Sequence, residues 1–386
     1  MFYLLSLLFI LAPTYVIRFS IFGIPSNFLE ILVAIFLVSF VIWTIKNKTT
    51  KEFTAFIKSQ PKTLKKLFFL FFISGLISAF VSPDWHRAAG QFLVLFLMPL
   101  LVYFPSSFIL ANPINKIRFV KLLFITVGLI SAYGIIQYFT LIGLPTEWWG
   151  NANEPKRILS VFEYPNAFAL YLAPLLAFLL PFVKQDSLKN QAYKISYALG
   201  IIALLLTLSR GGWVGFVAAA GVYIIFFATK KERITALIGF FVAALIVLAT
   251  PNLRYRIILP FMGEKSTVSR FSLWNTANKM IKDSPILGKG LYGFKTNYDK
   301  YNSDPNLPSI NYPHNIFLNF WVETGLLGLI SFLGLTIFFI SKAIKQKGLL
   351  AISTILFLTA IYFHGFADAP YFKNDLALIF WILLSL

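Results

Sequence analysis

Residues Ile195–Ala228 read ISYALGIIALLLTLSRGGWVGFVAAAGVYIIFFA, two apolar runs (195–209 and 211–228) with Arg210 as the one charged side chain between Ile195 and Ala228. Uninterrupted apolar stretches of this kind are the signature of helices that cross a bilayer. The rest of the chain repeats the pattern. Of 386 residues, 58% are hydrophobic, 18% aromatic and 13% charged, with 43 Phe. Mean hydropathy is +0.76. A soluble domain carries roughly 25% charge, so too little polar surface exists here to cover a water-soluble fold. The same composition excludes intrinsic disorder. Cys is absent, which removes disulfides, thiolate nucleophiles and cysteine metal sites.

Polar breaks divide the chain into about twelve expected spans: 2–17, 28–45, 67–82, 88–104, 119–143, 165–183, 195–209, 211–228, 234–250, 316–340, 348–366 and 376–386. The fold class expected is an all-α integral membrane protein, a single polytopic domain over 1–386. The first run lacks a small-x-small cleavage site and reads as a retained helix. The last run has only 11 residues, short for a crossing: either the chain ends early or this helix is partly sunk among its neighbours.

Charge sets the orientation. With both termini cytoplasmic, the inner loops 46–66, 105–121, 184–194, 230–233 and 341–347 hold 19 Lys and Arg against three acids, Glu52, Asp186 and Glu232. The short outer segments hold six basic residues, among them Arg18, Arg87, Lys156, Arg157 and Arg210. This is the positive-inside bias. The long extracytoplasmic loop 251–315 carries nine more, and long loops are exempt from the rule. The net charge of +19 is scattered between apolar runs, which argues against nucleic acid and for lipid or phosphate-bearing partners.

Within that loop, Ser269–Lys282 reads as an amphipathic helix with Phe271, Trp274, Ala277 and Ile281 on its apolar face, stopped by Pro285. Gly288–Phe294 reads as a turn-rich connector. Three features carry chemical potential. Ser209-Arg210-Gly211-Gly212-Trp213 offers either an interfacial anchor or a guanidinium fork for a phosphate, with glycines permitting close approach. Arg254, Arg256, Lys265 and Arg270 form a basic cluster, which alone reads as a solvated or lipid-facing patch. Tyr312-Pro313-His314-Asn315 opens span ten, with His314 at the boundary; its pKa range suits proton transfer at neutral pH. Glu30 and Glu323 read as midplane acids with structural roles. His364 and Asp368 share a helical face, with a structural hydrogen bond as the first reading and an acceptor contact as the second. Asp84-Trp85-His86-Arg87 is a further polar cluster that could take sugar or diphosphate. The spacing of His86, His314 and His364 matches no metal-ligand pair, so no metal and no cofactor is expected.

His314-Asn315, nine residues, Gly325, two residues, Gly328 resembles the signature of the bacterial O-antigen ligase and polymerase family. The resemblance extends to Ser209-Arg210-Gly211, Arg270 with Trp274, the Gly288–Phe294 turn, Tyr164-Pro165-Asn166, and His364-Gly365-Phe366-Ala367-Asp368. Its strongest part is a core over 195–340; the N-terminal third matches in hydropathy alone. It implies a GT-C-like membrane glycosyltransferase of lipopolysaccharide or polysaccharide biosynthesis in the bacterial inner membrane. Such an enzyme moves a glycan from an undecaprenyl-diphosphate carrier to a lipid A core or other glycan acceptor, on the extracytoplasmic face. By motif position the family's two arginines and histidine correspond to Arg210, Arg270 and His314. Arg254, Arg256, Trp274, Tyr312 and Asn315 are expected at the substrate. Within the family, a polymerase joining repeat units is equally compatible with the sequence. A transporter or flippase is disfavoured, because polar midplane positions are few and no internal repeat is visible. A membrane scaffold leaves the basic loop and the histidine unexplained.

Overall fold

The computed structural model describes residues 1–21, 23–151, 154–185, 190–251, 254, 258, 265–302, 304, 307 and 309–386. About 77% of the described residues are helical. Among the described residues six helices are long and apolar enough to cross a membrane, and four shorter apolar helices accompany them. The chain divides into two compact units.

The first unit comprises Met1–Leu122, Ser272–Lys342 and Ala369–Leu386. The expected span 2–17 is not one helix. α1 (Phe2–Ile10) ends at Leu11, and a 3₁₀ turn with Pro13 follows over Ala12–Val16. A nine-residue helix rises only about 14 Å, too little for a hydrocarbon core. A two-stranded antiparallel hairpin comes next, β1 (Arg18–Ile21) on β2 (Ile24–Asn27), with Arg18 opposite Asn27. α2 (Phe28–Lys46) starts at an Asn27 cap, where Glu30 accepts from Ser26 Oγ and Asn27 Nδ2, both at 2.6 Å. Glu30 is thus a first-turn capping acid and not a midplane one. The lysine-rich loop folds as the short amphipathic α3 (Thr50–Ser59).

α4 (Lys62–Val81) precedes a long helix over 85–110, which is α5 (Trp85–Phe92), a π-helical turn at Leu93–Leu97 and α6 (Met98–Leu110). α7 (Pro113–Thr140) begins in this unit. The last helix here, Asn374–Leu384, is buried from Asp375 to Leu384. Its 11 residues pack as a core element, the second of the two readings of so short a run. Trp381 lies against Phe68 and Phe71 and donates to the Tyr371 hydroxyl at 3.0 Å. Tyr371 in turn donates to the Leu95 carbonyl at 2.6 Å, so the polar tips of Trp381 and Tyr371 both have a partner.

The second unit comprises Leu123–Phe271 and Ala343–Asp368. α8 (Pro165–Leu179) is its axis; every residue except Asn166 is buried. α9 (Gln191–Leu206), α10 (Arg210–Phe226) and α11 (Lys230–Ala249) follow. Small residues bring helices close: Ala177, Ala219, Leu356 and Ala360 form one cluster, the arrangement favoured where lipid supplies no hydrophobic drive between helices.

Candidate functional site

The second unit holds both arginines singled out from the sequence. The 207–209 turn is tightly built. Thr207 Oγ1 donates to the Leu204 carbonyl at 2.6 Å and accepts the Ser209 N–H at 3.2 Å. Leu208 takes a φ of +50°, an uncommon conformation for a branched side chain. Arg210 is therefore the first residue of α10, half-buried. Trp213 is no free interfacial anchor. Its indole N–H donates to the Leu204 carbonyl at 3.0 Å and ties α10 to α9.

Arg157, counted above only as an outer charge, belongs to this turn. Its Nε donates to the Thr207 carbonyl at 2.8 Å and one terminal nitrogen to Asn166 Oδ1 at 2.8 Å. Its guanidinium sits 5.3 Å from the Trp148 ring. The Tyr164-Pro165-Asn166 motif thus supplies the acceptor that orients this arginine. The pairing of Arg157 with Asn166 nine positions on has no sequence signal, because it depends on the chain folding back at the start of α8.

α12 (Lys265–Asp283) carries Arg270, half-buried. The buried stripe of this helix is Leu273, Ala277, Met280 and Ile281, packed on Phe294, Tyr298 and Val322. This corrects the expected face: Ala277 and Ile281 are core, whereas Phe271 is 62% exposed and Trp274 is half-buried. The true stripe follows the i, i+4, i+7, i+8 rule, rotated from the reading that began at Phe271. Arg254 is exposed and donates to the Leu248 carbonyl at 3.3 Å. Arg256 lies outside the described residues.

The third element of the second unit is α15 (Leu349–Gly365), which ends at His364 and Gly365. His364 is 1% exposed. Its ring rests on Gly211, where a Cβ would come within 2.6 Å of Cδ2 and 2.8 Å of Nε2. Asp368 and Arg270 both lie within electrostatic reach of the ring. Arg210 precedes the glycine beneath that imidazole, so the two arginines are linked to His364 by different routes.

The remaining site residues belong to the first unit. His314 is half-buried with φ +50°, its ring centroid 4.5 Å from that of Tyr312. Asn315 caps the helix that follows: its Oδ1 accepts the N–H groups of Phe317 and Leu318 at 3.0 and 3.1 Å. That helix, α14 (Ile316–Gln346), is broken at Gly325, with φ +63° and ψ −169°. Only glycine adopts that region readily. Through the break passes the 284–292 connector. Leu326 donates to the Ile286 carbonyl at 3.0 Å and Lys289 to the Val322 carbonyl at 2.6 Å. Span ten was expected to be continuous; the spacing of His314 and Gly325 instead delimits a short helix, Ile316–Thr324.

On that short helix sits Glu323, 3% exposed. Its carboxylate accepts the backbone N–H groups of Tyr292, Gly293 and Phe294, the last at 3.1 Å. These open α13 (Gly293–Tyr301), so the acid serves a helix N-terminus. The connector is held further by Ser82 Oγ, which donates to the Leu291 carbonyl at 2.6 Å, and by Arg87, which donates to the Tyr292 hydroxyl at 2.5 Å. Trp85 is 63% exposed.

A family model described as O-antigen ligase matches residues 195–333. A protein of Haemophilus influenzae whose name is "Uncharacterized protein" is 22% identical over 294 residues, 71% of this chain and 70% of that protein. Arg210, Arg270, His314, Gly325 and Gly328 all fall inside the matched segment, and over that segment the chain is similar to the O-antigen ligase family.

Proposed function

We propose that the chain transfers a glycan from an undecaprenyl-diphosphate carrier to a lipid A core or other glycan acceptor on the outer face of the bacterial inner membrane. The match of residues 195–333 to the O-antigen ligase family model supports glycosyl transfer from lipid-linked glycans in general. The finer reading has a GT-C-like arrangement of about twelve apolar runs, with cytoplasmic termini, supported by the lysine-rich alternate loops. The observation that carries it is the turn that places Arg210 at the start of α10, in the unit that also contains Arg270, with His364 linked to both.

The chemistry follows from the donor. Outside the cytoplasm no nucleotide is at hand, so the bond to the diphosphate must itself be the activated one. The acceptor hydroxyl oxygen attacks the anomeric carbon, and the bond from that carbon to the phosphate oxygen breaks. The diphosphate leaves with the electron pair, and direct attack inverts the centre. Arg210 and Arg270 bind the leaving diphosphate by charge-assisted hydrogen bonds, strong in a site of low dielectric. His314 takes the acceptor proton. The charge is carried by guanidinium groups, so the reading invokes no metal. The capping roles of Glu30 and Glu323 weigh against a transporter, which needs polar groups free at the midplane.

The test is transfer by the purified, reconstituted protein from undecaprenyl-diphosphate glycan to defined acceptors. A glycan joined once to a lipid acceptor supports ligation, and lengthened glycan chains on the carrier point to the family's polymerase reaction. No product from any such donor, with the protein folded, removes the proposal.

A further inference from the structure

His364 has no part in the chemistry above, yet its surroundings are unusual. The ring is 1% exposed, and its Cδ2–Nε2 edge leaves no room for a Cβ at Gly211. One turn along α10, a Cβ at Gly215 would come within 3.1 Å of His364 Cβ and 2.7 Å of the Ala360 carbonyl. On the other side of the ring, Nδ1 is buried with no hydrogen-bond partner among the described residues. Asp368, 2% exposed, and Arg270 act electrostatically on the same ring. A position that only filled space would take Leu or Phe, since an unpartnered buried polar nitrogen costs free energy. On the facing helix Gly211 makes room for this imidazole and Gly215 for the backbone that carries it, at the end of α10 that carries Arg210.

We propose that His364 is a positioning residue for the diphosphate-binding arginines: its ring edge seats Gly211, and with it Arg210, while Asp368 supplies the negative charge that offsets Arg270 around the ring. The inference rests on the diphosphate reading of Arg210 and Arg270. It accounts for the His364-to-Asp368 spacing, which the reaction scheme leaves unused, and for glycine at position 211.

The experiment uses the full chain in nanodiscs, with undecaprenyl diphosphate lacking a glycan as the binding probe and undecaprenol as its uncharged control. His364→Ala, His364→Gln and Gly211→Ala are compared with Arg210→Ala. His364→Ala is expected to weaken binding of the diphosphate probe about tenfold or more. Donor KM rises, acceptor KM stays within about twofold, and undecaprenol binding is unchanged. His364→Gln recovers part of the loss. Gly211→Ala, pressing on the ring from the opposite helix, weakens the same probe and decides the matter if the histidine variants do not accumulate. The inference is overturned if the variants bind the probe like the wild type while Arg210→Ala does not. It is equally overturned if donor and acceptor terms fall together, which is the mark of a loosened core. If Arg210→Ala also keeps full binding, the diphosphate reading itself fails, and this inference with it.

Discussion

The Glu323 carboxylate accepts the Phe294 N–H at 3.1 Å, joining residues 29 positions apart in the chain. With the N–H groups of Tyr292 and Gly293 it fixes the start of α13 to the short helix behind His314. Glu323→Ala leaves three donors without their acceptor. A destabilisation of about 1.5–3 kcal/mol is expected, the range for hydrogen bonds to charged groups, read from thermal unfolding in detergent. Glu323→Gln, which keeps one carbonyl oxygen, should lose less.

Gly325 is where the tertiary fold meets the motif. A Cβ there would lie 2.6 Å from the Leu287 carbonyl carbon and 2.8 Å from that of Ile286, in a backbone conformation closed to other residues. Gly325→Ala should cost about 1–3 kcal/mol in strain alone. Displacement of the 284–292 connector would appear as new proteolytic cleavage between Ser284 and Tyr292; an unchanged digestion pattern would contradict this account.

Thr229 and Glu232 form a reciprocal cap at the start of α11. Glu232 Oε2 accepts the Thr229 N–H at 2.7 Å, and the Glu232 N–H donates to Thr229 Oγ1 at 3.3 Å. The backbone bond from Thr229 holds the Glu232 carboxyl down at about 2, with Lys184 adding to it at 3.1 Å. A depressed carboxylate stabilises the fold above its unfolded value, and that stability drains away as pH falls from about 4.5 toward 2. Thr229→Ala should cost about 1 kcal/mol at neutral pH. Glu232→Gln should flatten this acid-side slope, measured as unfolding temperature against pH.

Arg210→Ala and Arg270→Ala should each lower transfer by roughly 10²–10³-fold, about 2.7–4 kcal/mol, if each guanidinium meets the charge that develops on the diphosphate. His314→Ala should remove about 10²–10⁴-fold through loss of the base. Single-turnover kinetics with the carrier-linked glycan measure both. Activity near wild type in the His314 variant would take that residue out of the mechanism.

Much was legible in advance wherever a residue's own chemistry decided its place. Apolar run length marked the helices, and Pro285 marked the end of α12. The 11-residue final run was recognisably too short to stand alone. The first run misled, because apolarity is shared by crossing helices and by the short α1 that a 3₁₀ turn and a hairpin follow. Phe271 misled for a related reason: at three- and four-residue steps a helix offers more than one plausible stripe, and only the partner selects among them.

The amino-acid sequence by itself determined a helical chain for an apolar solvent, a long basic loop over 251–315, and a His-Asn-Gly pattern placed with two arginines in the segment that matches the family model. Those follow from composition and local spacing, which act within a few residues. Tertiary structure alone decided that Glu323 is a cap, that Asn166 orients Arg157, and that His364 rests on Gly211. Each joins distant parts of the chain, and hydrogen bonding and close packing act through space, where separation along the chain carries no information.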